Sequence, residues 1–181
     1  IEILQSTNLS ATAAINLTGN GFANTLVGNA GANTLDGGAG ADIMRGGNGN
    51  DSYRVDSGAD RVFEVSGYGT DTVLSTVSYG LQAGQHVEIL KLADAAGTGA
   101  LWLAGNELAN TIQGNAGANV INGGGGNDRL FGYGGNDTIS VVRAAAAVAT
   151  TCGAVSSVDG SPAGEHACVA PRVSLPTQAL R

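Results

Sequence analysis

The sequence is poor in the residues that usually build and organise a compact domain. Aromatic residues make up 4% of the 181 residues and charged residues 13%, with one Met and one Trp in the whole chain. All three Pro and both Cys lie after residue 150, so no disulfide framework or proline-rich linker organises the rest of the sequence. No apolar run approaches the roughly 18 residues of a membrane-spanning helix. The sequence therefore predicts neither an ordinary globular core nor a membrane span.

Basic side chains are scarce as well. Residues 1–141 carry 13 acidic and 5 basic side chains, and the formal net charge of the whole chain is −7. Nucleic acids and anionic lipid surfaces are bound through clusters of Lys and Arg. We therefore expect no nucleic-acid partner and no binding to an anionic membrane surface.

Catalytic motifs are also missing. The patterns HExxH, GxSxG, SxxK and CxxC do not occur. His86 stands alone beside an alternating strand pattern, and a lone His of this kind is usually solvated. Asp71 and Glu88 can be paired on paper as acids for glycoside chemistry, but turn and strand-face positions explain them better. We therefore expect no catalytic residues and no enzymatic activity within this chain.

Glycine, in contrast, is abundant, and most of it falls into two blocks of a nine-residue repeat. Residues 19–54 read GNGFANTLV, GNAGANTLD, GGAGADIMR and GGNGNDSYR, and residues 105–140 read GNELANTIQ, GNAGANVIN, GGGGNDRLF and GYGGNDTIS. Position one is always Gly, position six is Asn or Asp, and position eight is apolar. Nonapeptides of this type are typical of a parallel β-helix that binds Ca²⁺.

Each repeat can be interpreted as a turn followed by a short strand. Positions one to five are too rich in Gly for regular structure, because Gly reaches backbone conformations that other residues avoid. Positions six to nine alternate as a strand does, so the apolar eighth residues point to one side and are buried between stacked coils of two repeats. The predicted fold class is all-β, a parallel β-roll (β-helix solenoid) of glycine-rich nonapeptides. The predicted core residues are Leu26, Leu35, Met44, Tyr53, Ile112, Ile121, Leu130 and Ile139.

The thin core leaves the turns in need of another stabilising interaction. One apolar side chain per repeat offsets little of the conformational entropy that is lost when nine residues, several of them Gly, become ordered. Carboxylate and turn carbonyl oxygens are hard ligands, which Ca²⁺ accepts in a tolerant geometry whereas Mg²⁺ demands a stricter octahedron. We therefore predict several Ca²⁺ ions per chain. The position-six carboxylates predicted as ligands are Asp42, Asp51, Asp128 and Asp137.

The GGxGxD repeats closely resemble the RTX (repeats-in-toxin), or haemolysin-type, calcium-binding repeats of secreted bacterial proteins. The resemblance implies a parallel β-roll in which Ca²⁺ lies between turns that are two repeats apart. The facing turns it implies are those of Asn24 and Asp42, Asn33 and Asp51, Asn110 and Asp128, and Asn119 and Asp137, with Asp60 in VDSGADRVF extending the ladder beyond Asp42. The glycines of the calcium-binding turns are then Gly28, Gly37, Gly38, Gly40, Gly46, Gly47, Gly49, Gly114, Gly123, Gly124 and Gly126.

The resemblance is not uniform along the two blocks. Asn replaces Asp at position six in the first two repeats of each block, and the turns 19–24 and 105–110 lack the Gly at position four. An amide offers a cation no negative charge. We therefore expect these opening turns to bind Ca²⁺ weakly or to cap the ladder.

A second, longer repeat divides the chain into modules. Residues 1–55 align with 87–141 at a constant offset, with about half of the positions identical. We predict a first module at 1–63 (nonapeptides 19–54, with an extension to 63) and a second nonapeptide block at 105–141. Between them, the strand-rich segment 64–104 is expected to continue the solenoid with irregular coils. Its predicted core residues are Val73, Val77, Ile89, Leu90 and Leu92.

Residues 142–181 change in character and contain no nonapeptide. Cys152 and Cys168 are candidates for a disulfide, or with His166 for a loose metal pair, but a disordered low-complexity tail is the preferred interpretation. The chain opens within a strand pattern and has no starting Met, which leads us to expect a fragment of a longer protein. We assign the tail no function.

The resemblance to RTX repeats implies a function outside the cell. It implies a calcium-binding module that folds after export through a type I secretion apparatus, within a larger secreted, extracellular bacterial protein such as a protease, lipase or epimerase. The alternative is a structural, adhesive or polysaccharide-contacting module appended to an extracellular enzyme. An exposed row of aromatic or Thr side chains would favour that alternative, and the sequence shows no regular row.

Overall fold

The structure is a computed structural model that describes residues 2–141. Within this range every regular element is a β-strand, so no helix of a length to cross a bilayer occurs there. The alternatives for Cys152, Cys168 and His166 lie outside the described residues. The strands are β1 (Ile3–Gln5), β2 (Asn16–Thr18), β3 (Thr25–Val27), β4 (Thr34–Asp36), β5 (Ile43–Arg45), β6 (Ser52–Val55), β7 (Arg61–Phe63), β8 (Thr72–Ser75), β9 (Tyr79–Gly80), β10 (Ile89–Leu92), β11 (Trp102–Ala104), β12 (Thr111–Gln113), β13 (Val120–Asn122), β14 (Arg129–Phe131) and β15 (Thr138–Ser140).

Successive strands alternate between the two sides of a flattened coil. The even-numbered strands from β2 to β14 form one seven-stranded sheet, and the odd-numbered strands form two four-stranded sheets, β1-β3-β5-β7 and β9-β11-β13-β15. All pairings are parallel, and within the repeats each residue pairs with the one two repeats later, as Leu26 does with Met44 and Leu35 with Tyr53. The prediction of an all-β parallel β-roll is confirmed.

The eighth residue of each repeat faces the inside of the roll. Six of the eight predicted core residues are fully buried, and they form one cluster with the buried side chains of the connecting segment. Leu130 and Ile139 are only partly buried, because β14 and β15 are the last strands of their sheets in the described range. The core is therefore a single stripe of side chains, covered on both sides by backbone.

The connecting segment continues the roll with coils of unequal length. Its strands pair in register with those of the first block, Tyr53 with Val73, and with those of the second, Leu90 with Ile112. Val73, Leu90 and Leu92 are buried and Val77 packs against the core, as predicted. The prediction for Ile89 is wrong: it alternates with the buried Leu90 and lies on the outward, partly exposed side of β10.

Candidate metal centre

Acid and amide side chains follow both edges of the roll. We define two edges of the roll by the residue that immediately precedes each strand. For strands β4 to β14 of the seven-stranded sheet, this residue lies on the long edge. For the strands of the two four-stranded sheets, it lies on the short edge. The members of the long edge are Asn33, Asp51, Asp71, Glu88, Asn110 and Asp128, and the polar members of the short edge include Asn24, Asp42, Asp60, Asn119 and Asp137. Every position-six residue of the sequence pattern therefore lies on one of two ladders.

Within the repeats, stacked position-six residues are joined by a backbone-to-carboxylate hydrogen bond. The N–H of Asn24 donates to Oδ1 of Asp42 at 2.7 Å, and the N–H of Asp42 donates to Oδ1 of Asp60 at 3.0 Å. The same contact joins Asn33 to Asp51 (2.7 Å), Asn110 to Asp128 (3.0 Å) and Asn119 to Asp137 (2.8 Å). The residues that sequence reasoning paired thus lie side by side, while their role as calcium ligands stays a prediction.

The Asn turns satisfy their own hydrogen bonds. In each, Oδ1 of the position-six Asn accepts from the N–H at position two, at 2.7–3.0 Å. In the second turn the side-chain amide of Asn33 also donates to the carbonyl of Gly31 at 2.7 Å and to Oδ1 of Asn29 at 2.9 Å. An Asn at position six therefore closes its turn without a cation.

The Asp turns lack this internal closure. Position two in these turns has a positive φ, as at Gly38 (+73°) and Gly124 (+81°), and in the last repeat it is Tyr133 (+68°). The N–H of Gly38 donates to the side chain of Asp36, and that of Gly124 donates to the side chain of Asn122. Asp42 and Asp51 are 0% and 2% exposed, and Oδ2 of each has no hydrogen-bond partner. A buried carboxylate oxygen without a partner is costly, and a cation is the group that would satisfy it.

Glycine at position one makes the space in which the carboxylate lies. A Cβ added at Gly37, Gly46 or Gly123 would collide with Oδ2 of the Asp five residues later in the same turn. At Gly28 and Gly114 it would collide with Oδ1 of the corresponding Asn. In the Asp turns the fourth-position glycines have positive φ and lie against carbonyl groups of the preceding coil; these are Gly40, Gly49, Gly126 and Gly135. The recurring spacing of Gly in the repeats thus brings carboxylate and carbonyl oxygens together.

The buried carboxylates of the ladders have raised pKa values and no basic side chain to balance their charge. Loss of solvent raises the pKa of Asp51 and Asp71 to about 6, although a backbone N–H that donates to each one lowers it. The pKa of Asp42 and Asp60 is raised for the same reason. Across residues 2–141 the one ion pair is between Arg54 and Asp36 at 3.1 Å, on the surface and away from the ladders. The ladders therefore hold oxygen donors of the kind Ca²⁺ binds, without a basic side chain to balance them.

Three residues near Asp51 were not predicted as part of a metal site. The sequence indicates a turn for Asp71 and a core position for Tyr53, and it does not single out Glu64. Asp71 precedes β8 as Asp51 precedes β6, so an Asp before an alternating strand was a signal that could have found it. No such signal marks Glu64, because it lies in a coil whose length does not match the nine-residue repeat.

Comparison with known proteins agrees with this geometry. A family model of the RTX calcium-binding nonapeptide repeat, in four copies, matches residues 18–53 and 104–139. The two blocks are therefore RTX calcium-binding nonapeptide repeats, and the resemblance drawn from the sequence is confirmed. Neither a curated protein nor a solved structure gave a significant match to the chain. Repeats of this family are non-catalytic, and calcium is the ion they bind.

Proposed function

We propose that this chain is a calcium-dependent folding module of a larger exported bacterial protein, and that its β-roll forms when Ca²⁺ occupies the Asp turns. The observation that carries the proposal is the pair of buried, unpartnered oxygens, Oδ2 of Asp42 and Oδ2 of Asp51. Each lies in a turn of the GGxGxD type, where the internal hydrogen bonds of the Asn turns are missing. A cation bound between stacked turns on each edge would satisfy the free oxygen there and balance its negative charge.

Folding and binding are coupled in this proposal. Without an ion, ordering the glycine-rich turns costs conformational entropy, and burying the carboxylates adds a further electrostatic cost. The single stripe of apolar residues offsets only part of this. Because the site does not exist in the unfolded chain, the free energy of ion binding is available to folding. The chain would stay unfolded where calcium is scarce, inside the cell, and fold where calcium is plentiful, outside it.

The proposed location of the module and the proposed parent protein rest on the family alone. RTX repeats are typical of secreted bacterial proteins, which supports an extracellular location. Export by a type I apparatus is part of the proposal. We further propose an enzyme such as a protease, lipase or epimerase as the parent. In this proposal the module itself supplies ion binding and order, and catalysis lies elsewhere in the parent.

The alternative of an adhesive or polysaccharide-contacting surface gains no support from the described part of the chain. Exposed aromatic side chains are present, and Phe131 and Tyr133 stack with ring centroids 6.2 Å apart, but the others are scattered. Trp102 lies on β11 in one sheet, Phe131 lies on β14 in another, and Phe22 lies in a turn. No continuous aromatic row crosses a face of the roll within residues 2–141.

A calcium titration of the full chain at neutral pH, followed by far-UV circular dichroism, tests the proposal. We expect a cooperative change from coil to β-structure with Ca²⁺, and no such change with Mg²⁺ as the control. A chain that is already fully β-structured in excess chelator would contradict the proposal. In that case the roll is stable without calcium, and the structural or adhesive alternative is favoured.

A further inference from the structure

Three buried carboxylates meet where the first repeat block joins the connecting segment. Asp51, Glu64 and Asp71 are 2%, 5% and 1% exposed, and one oxygen of each lies within 4.8 Å of an oxygen of the others. Asp51 ends the last turn of the first block, Glu64 follows β7, and Asp71 precedes β8. The cluster therefore draws its members from three separate stretches of chain, and only one of them belongs to a nonapeptide.

The free oxygen of Asp51 points towards this cluster. Its Oδ1 accepts from the N–H of Asn33 at 2.7 Å, which leaves Oδ2 buried and without a partner. Oδ2 lies beside Gly46, and a Cβ added there would collide with both Oδ2 and the hydroxyl of Tyr53. That hydroxyl donates a hydrogen bond to Oε1 of Glu64. The unpartnered oxygen is thus on the side of the turn that faces Glu64.

Tyr53 fixes the position of Glu64. Its hydroxyl accepts a hydrogen bond from the N–H of Gly46 at 2.7 Å and donates to the Glu64 carboxylate. Both donor and acceptor capacity of the hydroxyl are therefore used, and the ring is fully buried in the core. A carboxylate held in this way cannot turn out into solvent to escape its two acidic neighbours.

No basic group balances the cluster. Among residues 2–141, no Lys, Arg or His forms an ion pair with any of the three acids. Isolated buried charges are strongly unfavourable unless a partner or a metal ion compensates them. The remaining contacts are backbone amides: Asp51 N–H donates to Oδ1 of Asp71 at 2.8 Å, and Asp71 N–H donates to Oε2 of Glu88 at 2.8 Å.

We infer that Asp51, Glu64 and Asp71 together hold one cation at the end of the first repeat block, with two of the three carboxylates outside the nonapeptide pattern, and that this ion is Ca²⁺. This inference rests on the proposed calcium-dependent function. All three donors are carboxylates, which suit hard cations rather than zinc or copper. Two oxygens bound to one Ca²⁺ at its usual distances lie up to about 5 Å apart, which agrees with the spacing of the cluster.

An ion at this place would cross-link three parts of the chain. These are the last turn of the first block, the irregular coil that carries Glu64, and Asp71, which is the first long-edge acid of the connecting segment. Calcium-dependent order would then extend past the last nonapeptide instead of ending with it. The irregular coils between the two blocks contain no GGxGxD turn, so this site would supply the ion that the sequence pattern does not.

The variant Glu64→Gln tests the inference in the full chain. Gln keeps an oxygen that accepts from Tyr53, so the variant loses the carboxylate that would bind a cation but keeps this hydrogen bond. The matched control is Asp94→Asn, which removes one charge from an exposed acid in the same connecting segment. We expect isothermal titration calorimetry with Ca²⁺ to show one ion fewer for Glu64→Gln, or one site weakened by at least about tenfold, and no change for Asp94→Asn. Equal ion counts and affinities in the two variants would overturn the inference.

Two further readouts separate this site from the ladder. Tb³⁺, used as a probe in place of Ca²⁺, would sit close to the ring of Tyr53, so Glu64→Gln should lower the tyrosine-sensitised emission while Asp94→Asn leaves it intact. Unchanged emission in Glu64→Gln would count against the site. If the unmodified chain binds no Ca²⁺, the proposed function fails. If it binds Ca²⁺ and responds to Asp128→Asn but not to Glu64→Gln, the function stands and this site alone is wrong.

Discussion

The backbone N–H of Asn24 donates a 2.7 Å hydrogen bond to Oδ1 of Asp42, which lies one full coil further along the roll. The other oxygen of this fully buried carboxylate has no partner. The stacking contact therefore holds the Asp in place without neutralising it. Asn24, in contrast, accepts a hydrogen bond from Asn20 of its own turn at 2.8 Å. The two residues occupy equivalent positions in the repeat, yet it is in the Asp turn that a buried carboxylate oxygen lacks a hydrogen-bond partner.

The first prediction concerns this charge. Asp42→Asn keeps an oxygen for the Asn24 N–H but removes the negative charge, so the calcium concentration at the folding midpoint should rise several-fold. Asn24→Ala should lower stability through its lost hydrogen bond, by about 1 kcal/mol, with a much smaller shift of that midpoint. Circular dichroism titrations of both variants check this. Equal midpoint shifts in the two would contradict the distinction between Asp and Asn turns.

The second prediction concerns glycine in the turns. Gly38 has a φ of +73°, and a Cβ there would approach the carbonyl oxygen of Asn20 at 2.6 Å. Gly38→Val should therefore impair folding even in saturating calcium, by at least the roughly 1–2 kcal/mol of a left-handed L-residue. Gly21→Val is the matched control, since its added Cβ meets nothing within 4 Å. Urea unfolding in saturating calcium measures both, and equal stabilities would show that Gly38 is not required by its conformation. Gly124→Val should behave as Gly38→Val does.

The regular part of the molecule was accessible from sequence because it is periodic. Strand positions and the inward residues such as Leu35 follow from a nine-residue period and side-chain alternation. The stacking of Asn24 on Asp42 was implied by the resemblance to RTX repeats. The coils between the blocks have no period, so nothing in the local sequence tells which residue Glu64 will meet. Ile89 was misplaced for a related reason: a run of apolar residues does not say which of two neighbours faces inwards.

The third prediction concerns pH in the absence of calcium. Burial, opposed by the hydrogen bond from Tyr53 and reinforced by neighbouring acids, raises the pKa of Glu64 to about 8. An acid whose pKa is higher in the folded state than in the unfolded state binds more protons when folded, so folding weakens as pH rises between the two values. The chain in chelator should therefore gain β-structure when the pH falls from about 8 to about 5.

Far-UV circular dichroism across this pH range measures the gain. Glu64→Gln has no proton to bind at this position, so the upper part of its pH response should disappear. A chain in chelator whose β-content is independent of pH, or rises with pH, would show that these carboxylates are compensated in some other way.

The fourth prediction concerns the thin core. Leu35 is fully buried, and one side chain per repeat supplies the apolar contacts on that side of a coil. Leu35→Ala should cost about 2–5 kcal/mol in saturating calcium. Phe22, which is 78% exposed, provides the control, and Phe22→Ala should change stability by no more than about 0.5 kcal/mol. Urea unfolding of both variants checks this, and similar losses would mean that the stripe contributes little.

The most direct test of cation-bridged turns is a crystal structure of the full chain grown with Ca²⁺, with anomalous scattering used to locate the ions. We predict anomalous peaks between stacked turns at about 2.3–2.6 Å from carboxylate oxygens of Asp42 and Asp51. The Asn turns should show no peak bound to the side chains of Asn24 and Asn33 alone. A well-ordered roll in which Oδ2 of Asp42 and Asp51 contacts only water or protein donors would contradict the central claim.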